Sequence, residues 1–394
     1  MKISELSFLL VLATLPVQLG KFFFLDHSYV LGLPIDYRAL SVYLSDITVL
    51  LYLAAFLIEN QRNLPKIFKN QKATIIALVT FNAYLLVTSL FFSTSTYASL
   101  LFATKIAATS VLSVFAATTI AKVTVAKIAR GVIQFSAVWQ SLLIASQFIL
   151  QKSLGLWFLG ERTFDASTTG IAHITVFGRE LLRPYGTFPH PNVAAAYLVL
   201  STIIILPTRL STLAAVFSTV LTFAKTSIVY AAVVLAAHSK YLKSRAILVV
   251  SVALMALLLP RLITASIASL AERLVLTQAA LDIALLSPIV GVGGNNFILE
   301  LSKLDLFSLA ETRLLQPVHN IFLLILAENG IIGLILFAIF LLTVASSVKG
   351  KTKTLLFIGL LIFASVDHFL WTLHQGQLLF FLTLAYIASS QKKS

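Results

Sequence analysis

The chain has 394 residues, of which 59% are hydrophobic and 11% are charged, with a mean hydropathy of +0.96. About a quarter of the residues of a soluble domain are charged, so this composition excludes a soluble protein and predicts a polytopic membrane protein. There is no cysteine, which excludes disulfides, thiolate chemistry and cysteine-ligated metals. The net charge of +14 would suit nucleic acid binding, but the placement of the cations indicates membrane topology instead.

Apolar runs recur along the chain with the ~15–25 residues needed to cross a bilayer. We predict an all-α fold with about 12 transmembrane helices, in which 210–238 forms either one bent helix or two. The first run lacks a small-residue cleavage site, so we interpret it as a retained span. The predicted spans are 6–25, 39–58, 73–93, 98–121, 130–150, 191–207, 210–224, 226–238, 246–260, 318–346, 354–372 and 375–390.

Lysine and arginine cluster in alternate connections, a pattern that places those connections in the cytoplasm. The chain is therefore predicted to lie in the cytoplasmic (inner) membrane with both termini cytoplasmic and two long extracytoplasmic loops. Ordered long loops are usually functional. The predicted regions are a five-helix region at 1–150, the first loop at 151–190, central helices at 191–260, a second loop with an amphipathic helix at 261–317, and three C-terminal helices at 318–394.

A polar pair, His319-Asn320, precedes a long apolar run. If that run is one continuous helix, Gly330 and Gly333 share the face of His319, where another backbone could approach closely. Glu328 then falls on the opposite face, where a carboxylate inside an apolar span needs a reason. The pair is interpreted either as a helix cap beside packing glycines or as a reactive imidazole with its partner.

The predicted outer side carries further polar residues with two interpretations each. Arg183, His190 and Asn192 form either a rigid helix entry or a basic and polar rim. Lys225 is either a lysine that anchors a helix end or an ammonium aimed at an anionic, lipid-linked substrate. Arg273 either binds lipid phosphates at the interface or forks onto a diphosphate.

Two other polar positions are less specific. Lys105 lies inside the fourth predicted span, either as a packed cation or as part of the same basic cavity. Asp367-His368, with Trp371 and His374, is a possible metal site, although a polar helix turn is favoured. No Walker A motif, Asp-x-Asp pair or complete dinucleotide-binding loop is found, so no nucleotide-driven step is indicated.

Three motifs in order resemble the O-antigen ligase and polymerase superfamily of membrane glycosyltransferases, across about residues 183–345. The resemblance implies a GT-C-like fold and a reaction at the outer leaflet without cofactor, nucleotide or metal. One departure is Lys225, because members often carry arginine there and lysine lacks its bidentate fork. The motifs comprise Gly186, Phe188, His190, Pro191 and Asn192; Arg273, Pro288, Gly291, Val292, Gly293, Asn296 and Phe297; and His319, Asn320, Gly330 and Gly333.

The implied donor is a glycan on a polyprenyl (undecaprenyl-type) diphosphate, and the implied acceptor is a hydroxyl of a glycan, glycolipid or protein. The partners are these substrates and the lipid bilayer, with no nucleic acid. Histidine suits a general base near neutral pH, and a diphosphate leaving group needs cations. We therefore expect catalytic roles for His319 and Asn320; diphosphate binding by Arg273, Lys225 and Arg183; and a substrate or acceptor region at His190, Asn192 and Asn296.

The sequence leaves several functions open. A polysaccharide ligase, a repeat-unit polymerase and a protein O-oligosaccharyltransferase share this chemistry and differ in their acceptor. A lipid-linked glycan flippase would show polar residues at the membrane midplane and commonly an internal repeat. No clear repeat is found, and the candidate residues cluster at one membrane face, which favours an enzyme. A scaffold in an envelope-assembly complex is the remaining alternative.

Overall fold

The computed structural model describes residues 1–176, 178–206, 209–238, 267–304 and 314–390, which are mostly helical with little sheet, consistent with the all-α prediction. The predicted span 246–260 lies outside the described residues. The helices are α1 (Ile3–Thr14), α2 (Leu44–Asn60), α3 (Leu64–Asn70), α4 (Lys72–Phe91), α5 (Thr96–Ile120), α6 (Val123–Leu150), α7 (Pro191–Ile205), α8 (Arg209–Leu221), α9 (Lys225–Ala237), α10 (Ile267–Leu286), α11 (Phe297–Leu301), α12 (Ile321–Ala345), α13 (Lys351–Val366), α14 (Phe369–Thr372) and α15 (His374–Ala388).

Short antiparallel hairpins accompany the helices. Strand β1 (Gly20–Phe23) pairs with β4 (Leu40–Tyr43), and β2 (Tyr29–Val30) pairs with β3 (Leu33–Pro34) between them. A further hairpin of β5 (His173–Val176) and β6 (Arg179–Leu182) lies between α6 and α7. The hairpins pair backbone N–H and C=O groups within each connection.

Within the described residues, five helical segments are long and apolar enough to cross a membrane: Leu44–Asn70, Lys72–Phe91, Thr96–Ile120, Val123–Leu150 and Ile321–Ala345. Shorter apolar helices lie at Ile3–Thr14, Pro191–Ile205, Leu210–Leu221 and Lys225–Ala237. The chain is thus a multi-pass membrane protein, while the predicted total of about 12 spans stays a prediction.

The structure corrects the ends of two predicted spans. The span 6–25 is wrong as one helix, because α1 ends at Thr14, before Pro16, and β1 begins at Gly20. The span 354–372 is interrupted, because α13 ends at Val366 and Asp367 has an extended backbone. The average hydropathy of a whole span does not reveal either break, although Pro16 and the Asp367-His368 pair mark them locally.

The segment 210–238 forms two helices rather than one bent helix. Helix α8 ends at Leu221 and α9 begins at Lys225. Phe223 between them has φ +54°, a left-handed backbone that no helix accommodates. Lys225 therefore stands at a helix N-terminus.

Helix α12 is not continuous, which corrects the single-helix geometry assumed for its glycines. Gly330 has φ +63° and ψ −173°, so it breaks the helical backbone. A Cβ there would lie 2.2 Å from the carbonyl oxygen of Ile289, and a Cβ on Gly291 would lie 2.3 Å from the backbone of Glu328. The expected close approach of another backbone is present, and it comes from residues 288–293 crossing residues 327–332, which we call the loop–helix crossing.

Hydrogen bonds hold the loop–helix crossing together. The N–H of Gly293 donates to the carbonyl of Glu328 at 2.8 Å, and the N–H of Ile331 donates to that of Pro288 at 2.9 Å. The side chain of Glu328 accepts from the N–H of Phe297 at 3.1 Å. This bond is the reason for a carboxylate inside an apolar span, because it caps the first turn of α11.

We expect Gly330→Ala to destabilise the protein strongly. Alanine would be held at the positive φ of this position, which costs about 1–3 kcal/mol. Its methyl group would also overlap the carbonyl oxygen of Ile289. Gly131→Ala in α6 is the matched control, because a Cβ there meets nothing within 4 Å. Alanine in a helix should be neutral or stabilising by about 0.5–1 kcal/mol. Thermal unfolding of both variants in detergent tests this difference, and equal midpoints would contradict it.

Candidate active site

The candidate residues meet at one end of the helical bundle. Helices α7, α9 and α12 begin there, at Pro191, Lys225 and Ile321, and α13 ends there at Val366. The N-terminus of a helix carries partial positive charge and free N–H groups, which favour anions. Side chains cap two of these ends, His190 at α7 and Asn320 at α12, so the uncapped start of α9 at Lys225 is the end most open to an anion.

The three predicted diphosphate-binding cations line one cavity of about 690 Å³, which we call the basic cavity. Arg183 is held by donation from Nε to the carbonyl of Thr222 at 2.8 Å, and Arg273 by donation from Nη1 to the carbonyl of Val366 at 2.7 Å. Lys225 is exposed at the start of α9. Burial lowers the pKa of Arg183 to about 10, so its guanidinium is still charged at neutral pH.

A chain of polar contacts leads from this cavity to His319. Arg183 Nη2 donates to Asn192 Oδ1 at 2.8 Å, and Asn192 Nδ2 donates to Asp367 Oδ2 at 2.9 Å. The other oxygen of Asp367 accepts from the backbone N–H of His368 at 2.8 Å and lies 3.4 Å from His319 Nδ1. Asp367 is therefore surrounded by donors.

The Asp367 carboxylate is ionised at neutral pH. Its burial raises the pKa of the carboxyl, but the hydrogen bond from His319 and the charges of the neighbouring histidines outweigh that effect, so the pKa falls below its ordinary value. A carboxylate facing Nδ1 favours the tautomer with the proton on Nδ1. Nε2 of His319 then carries the free lone pair, and among the described residues it has no hydrogen-bond partner.

His319 lines a second cavity, of about 490 Å³, which we call the polar cavity. Asp367 lines both cavities, so it lies where they meet. Tyr37, Arg162 and the strongly exposed Trp157 also line the polar cavity. Arg183, Lys225 and Arg273 thus line one cavity and His319 lines the other, with Asp367 shared.

Two neighbouring histidines are neutral at physiological pH. Burial, aided by the charge of Arg183, lowers the pKa of His190 to about 3. Burial likewise lowers the pKa of His368 to about 4. His190 Nδ1 accepts from the N–H of Asn192 at 3.1 Å and so caps α7. Both histidines line the polar cavity, so they add no positive charge beside His319.

Asn320 and Asn296 are engaged in holding the fold. Asn320 Oδ1 accepts from the N–H groups of Phe322 and Leu323, so it caps α12, and its Nδ2 donates to the carbonyl of Ser365 at 3.1 Å. Asn296 is fully buried and bonds Ser99 Oγ at 2.9 Å. It lines neither cavity. The capping interpretation thus describes the side chain of Asn320, and the proposed site roles of both residues remain predictions.

Lys105 lines the polar cavity, not the basic cavity. Its Nζ donates to the carbonyl and to Oγ of Ser41 at 2.8 and 2.7 Å, and it lies 5.4 Å from the ring centre of Tyr43. Sequence reasoning left its role open, and the structure shows a cation that packs against β4. It is therefore separate from the three cations of the basic cavity.

Sequence reasoning underestimated Asp367. It lay inside a predicted span and was interpreted as part of a polar helix turn. The available signal was an acidic residue directly beside a histidine, close to the predicted outer membrane surface. The hairpin that brings Tyr37 to the polar cavity was also missed, because its strands lie inside or between apolar runs.

Described residues His319, Asp367 and His368 present ligand atoms within 4.8 Å of one another, a group that could hold a metal ion. Two imidazoles and one carboxylate suit Zn²⁺ by chemistry. However, His368 Nδ1 is already 2.7 Å from Thr372 Oγ1, and His319 Nδ1 faces Asp367. A metal ion there would compete with these bonds.

A bundle of apolar helices with a polar cluster at one end is typical of a multi-pass membrane protein. Residues 193–338 match the family model of the O-antigen ligase, which confirms the resemblance to the O-antigen ligase and polymerase superfamily. None of the curated proteins compared with the chain matches it. At the level of the family, the function is that of a glycosyltransferase-like ligase or polymerase in polysaccharide biosynthesis.

Proposed function

We propose that the protein transfers a glycan from a polyprenyl (undecaprenyl-type) diphosphate to an acceptor hydroxyl at the outer face of the cytoplasmic membrane. The observation that carries the proposal is the position of Asp367 between the basic cavity and the polar cavity. The donor diphosphate occupies the first cavity, and the acceptor occupies the second. The bond to be broken then lies between them, beside His319.

The basic cavity suits the diphosphate. The cavity is lined by three cationic side chains, Arg183, Lys225 and Arg273. They outnumber its two carboxylates, Glu180 and Asp367. The N-terminus of α9 adds partial positive charge at Lys225. Cations held in place before the reaction stabilise the negative charge that develops on a leaving diphosphate, and they need no reorganisation when the bond breaks.

The polar cavity suits a sugar acceptor. Trp157 lines this cavity, is 70% exposed and offers an aromatic face. Arg162 and Tyr37 offer polar groups. Binding sites with an apolar face and a few polar groups fix the orientation of a ligand. An acceptor hydroxyl bound there would lie beside His319.

The reaction proceeds by proton removal and displacement. Nε2 of His319 takes the proton of the acceptor hydroxyl, and the oxygen attacks the anomeric carbon. The bond from that carbon to the phosphate oxygen breaks, and its electron pair leaves with the polyprenyl diphosphate. Asp367 stabilises the imidazolium that forms, as a buried carboxylate does for a catalytic histidine.

The sidedness of the membrane follows from the charges. The positive-inside rule places the basic connections on the cytoplasmic side, with both termini. Helix α4 begins at Lys72, and the first part of α6 carries Lys127, at the bundle end opposite His319. The candidate active site therefore opens on the extracytoplasmic side.

A ligase, a repeat-unit polymerase and a protein O-oligosaccharyltransferase use this same chemistry. Purified protein in lipid, given polyprenyl-diphosphate glycan and a panel of acceptors, should release polyprenyl diphosphate and form a glycosidic bond. The mass of the product identifies the acceptor and separates the three. Glycan lipid that crosses the bilayer with no new bond would favour a flippase instead.

Arg273→Ala should weaken donor binding. Removing one charged hydrogen-bond partner of a diphosphate corresponds to a loss of about ten- to a hundred-fold in affinity. Arg179→Ala is the matched control, because Arg179 is exposed on β6 and lines neither cavity. Donor affinity can be measured by titrating the glycan lipid in detergent. Wild-type affinity in Arg273→Ala would refute the role of this arginine.

Chelators should leave transfer unchanged, whereas Zn²⁺ should inhibit it. Zn²⁺ bound by His319, Asp367 and His368 would occupy the lone pair that the proposed base needs. Product formation is measured after treatment with EDTA and then during a Zn²⁺ titration, with Mg²⁺ as the control ion. Loss of activity in EDTA that Zn²⁺ restores would show that the metal is required, and it would overturn the base mechanism.

A further inference from the structure

A separate cavity lies at the bundle end opposite His319. It has a volume of about 320 Å³, and we call it the inner cleft. Helix α7 begins at Pro191 beside the candidate active site and ends at Ile205, where Arg130 Nη2 donates to the carbonyl of Ile205 at 2.8 Å and also to that of Leu206. The inner cleft is therefore about one helix length from the proposed chemistry.

The walls of the inner cleft are mainly apolar and come from five helices. Helices α1, α5, α6, α7 and α15 contribute residues, and several of these side chains are buried. Apolar walls open to a bilayer favour hydrocarbon over water. The apolar lining includes Leu12, Ile120, Ala126, Ile204, Leu379 and Leu382.

Positive charge lies along α6 at the inner cleft. Lys127 is exposed, and the described part of the chain gives it no carboxylate partner. Lys122, one turn earlier, is neutralised by Glu5 at 2.7 Å. Arg130 bonds the end of α7 through Nη2, and its hydrogen-bond partners there are carbonyl oxygens. An apolar cleft with two cations matches a lipid that has an apolar chain and a negative head group.

We propose that the inner cleft binds one acyl chain of an anionic phospholipid whose phosphate lies against Lys127 and Arg130. Charge complementarity selects this occupant, because a basic residue near a membrane surface attracts anionic lipids and gains little from zwitterionic ones. The inner cleft is separate from the proposed site of glycan transfer, because it shares no lining residue with the basic cavity or the polar cavity.

Native mass spectrometry of the full-length protein tests the site directly. Delipidated protein is titrated with phosphatidylglycerol or with phosphatidylcholine of the same acyl chains. The wild type should bind the anionic lipid more tightly. Lys127→Gln should lower that affinity about five-fold, which corresponds to one basic contact. Lys69→Gln is the matched control, because it removes the same charge from an exposed lysine that does not line the cleft.

Ala126→Phe tests the acyl-chain part of the site separately from the head-group part. The ring would fill part of the inner cleft, so this variant should bind both lipids more weakly while its elution profile stays monodisperse. The proposal is overturned if the wild type binds both lipids equally, if Lys127→Gln binds the anionic lipid like Lys69→Gln, or if Ala126→Phe binds both lipids like the wild type.

Discussion

His319→Ala should reduce glycan transfer to a small residual rate while the protein still inserts and folds. Removing a general base lowers the rate by on the order of 10²–10⁴. The half-buried ring contacts Asp367 at 3.4 Å and lies 5.2 Å from the ring of His368, so its loss removes little packing. Product formation per mole of monodisperse protein, measured from polyprenyl-diphosphate glycan, gives the effect.

The control for this variant is His27→Gln. His27 lies between β1 and β2, on the same side of the bundle, and lines neither cavity. It should retain the activity of the wild type. Normal turnover by His319→Ala would exclude His319 as the base, and loss of activity in both variants would indicate damage to the outer surface instead.

Asp367→Asn should reduce transfer by up to ~10⁴-fold, the size of effect seen when an asparagine replaces the aspartate of a serine protease triad. The amide has no negative charge to stabilise an imidazolium, and its NH₂ group can force the wrong tautomer on His319. Asp26→Asn is the matched control, because Asp26 is exposed and lines neither cavity.

A purely structural role for Asp367 is separated from a role through His319 by the double variant. Asp367 also binds Asn192 and the N–H of His368, so its substitution changes packing as well. If the carboxylate acts through the histidine, His319→Ala with Asp367→Asn should be no slower than His319→Ala alone. Effects that multiply would show that Asp367 acts independently of His319.

The fold could be predicted where one physical signal dominates. Long apolar runs predicted the starts of α4, α5 and α12 to within a few residues. They also predicted α6, but this helix begins at Val123, before the predicted start at residue 130. Breaks inside apolar runs could not be predicted, because they depend on local backbone geometry and tertiary contacts. Phe223 and Gly330 are examples: polar residues stand beside each of them, at Lys225-Thr226-Ser227 and at Glu328-Asn329, but these do not reveal the positive φ angle.

The candidate site was predictable residue by residue but not as an arrangement. Arg183, Lys225 and Arg273 were chosen for their charge, and the structure gathers them in one cavity. Asn296 is predicted in the substrate or acceptor region, whereas its side chain is buried against Ser99. Asp367 is 48 residues from His319 in the chain, so only the packing of α12 and α13 brings the two together.

The loop–helix crossing has an evolutionary consequence. Gly291 and Gly330 each face the main chain of the other segment, so contact between the segments depends on backbone atoms and tolerates change in most surrounding side chains. Neither glycine can be replaced while the other segment stays in place. The two positions therefore form one mutational unit: lineages that keep the crossing should keep both glycines, and lineages that lose one should lose the constraint on its partner. Comparing the two positions across diverged relatives of this chain would test that coupling.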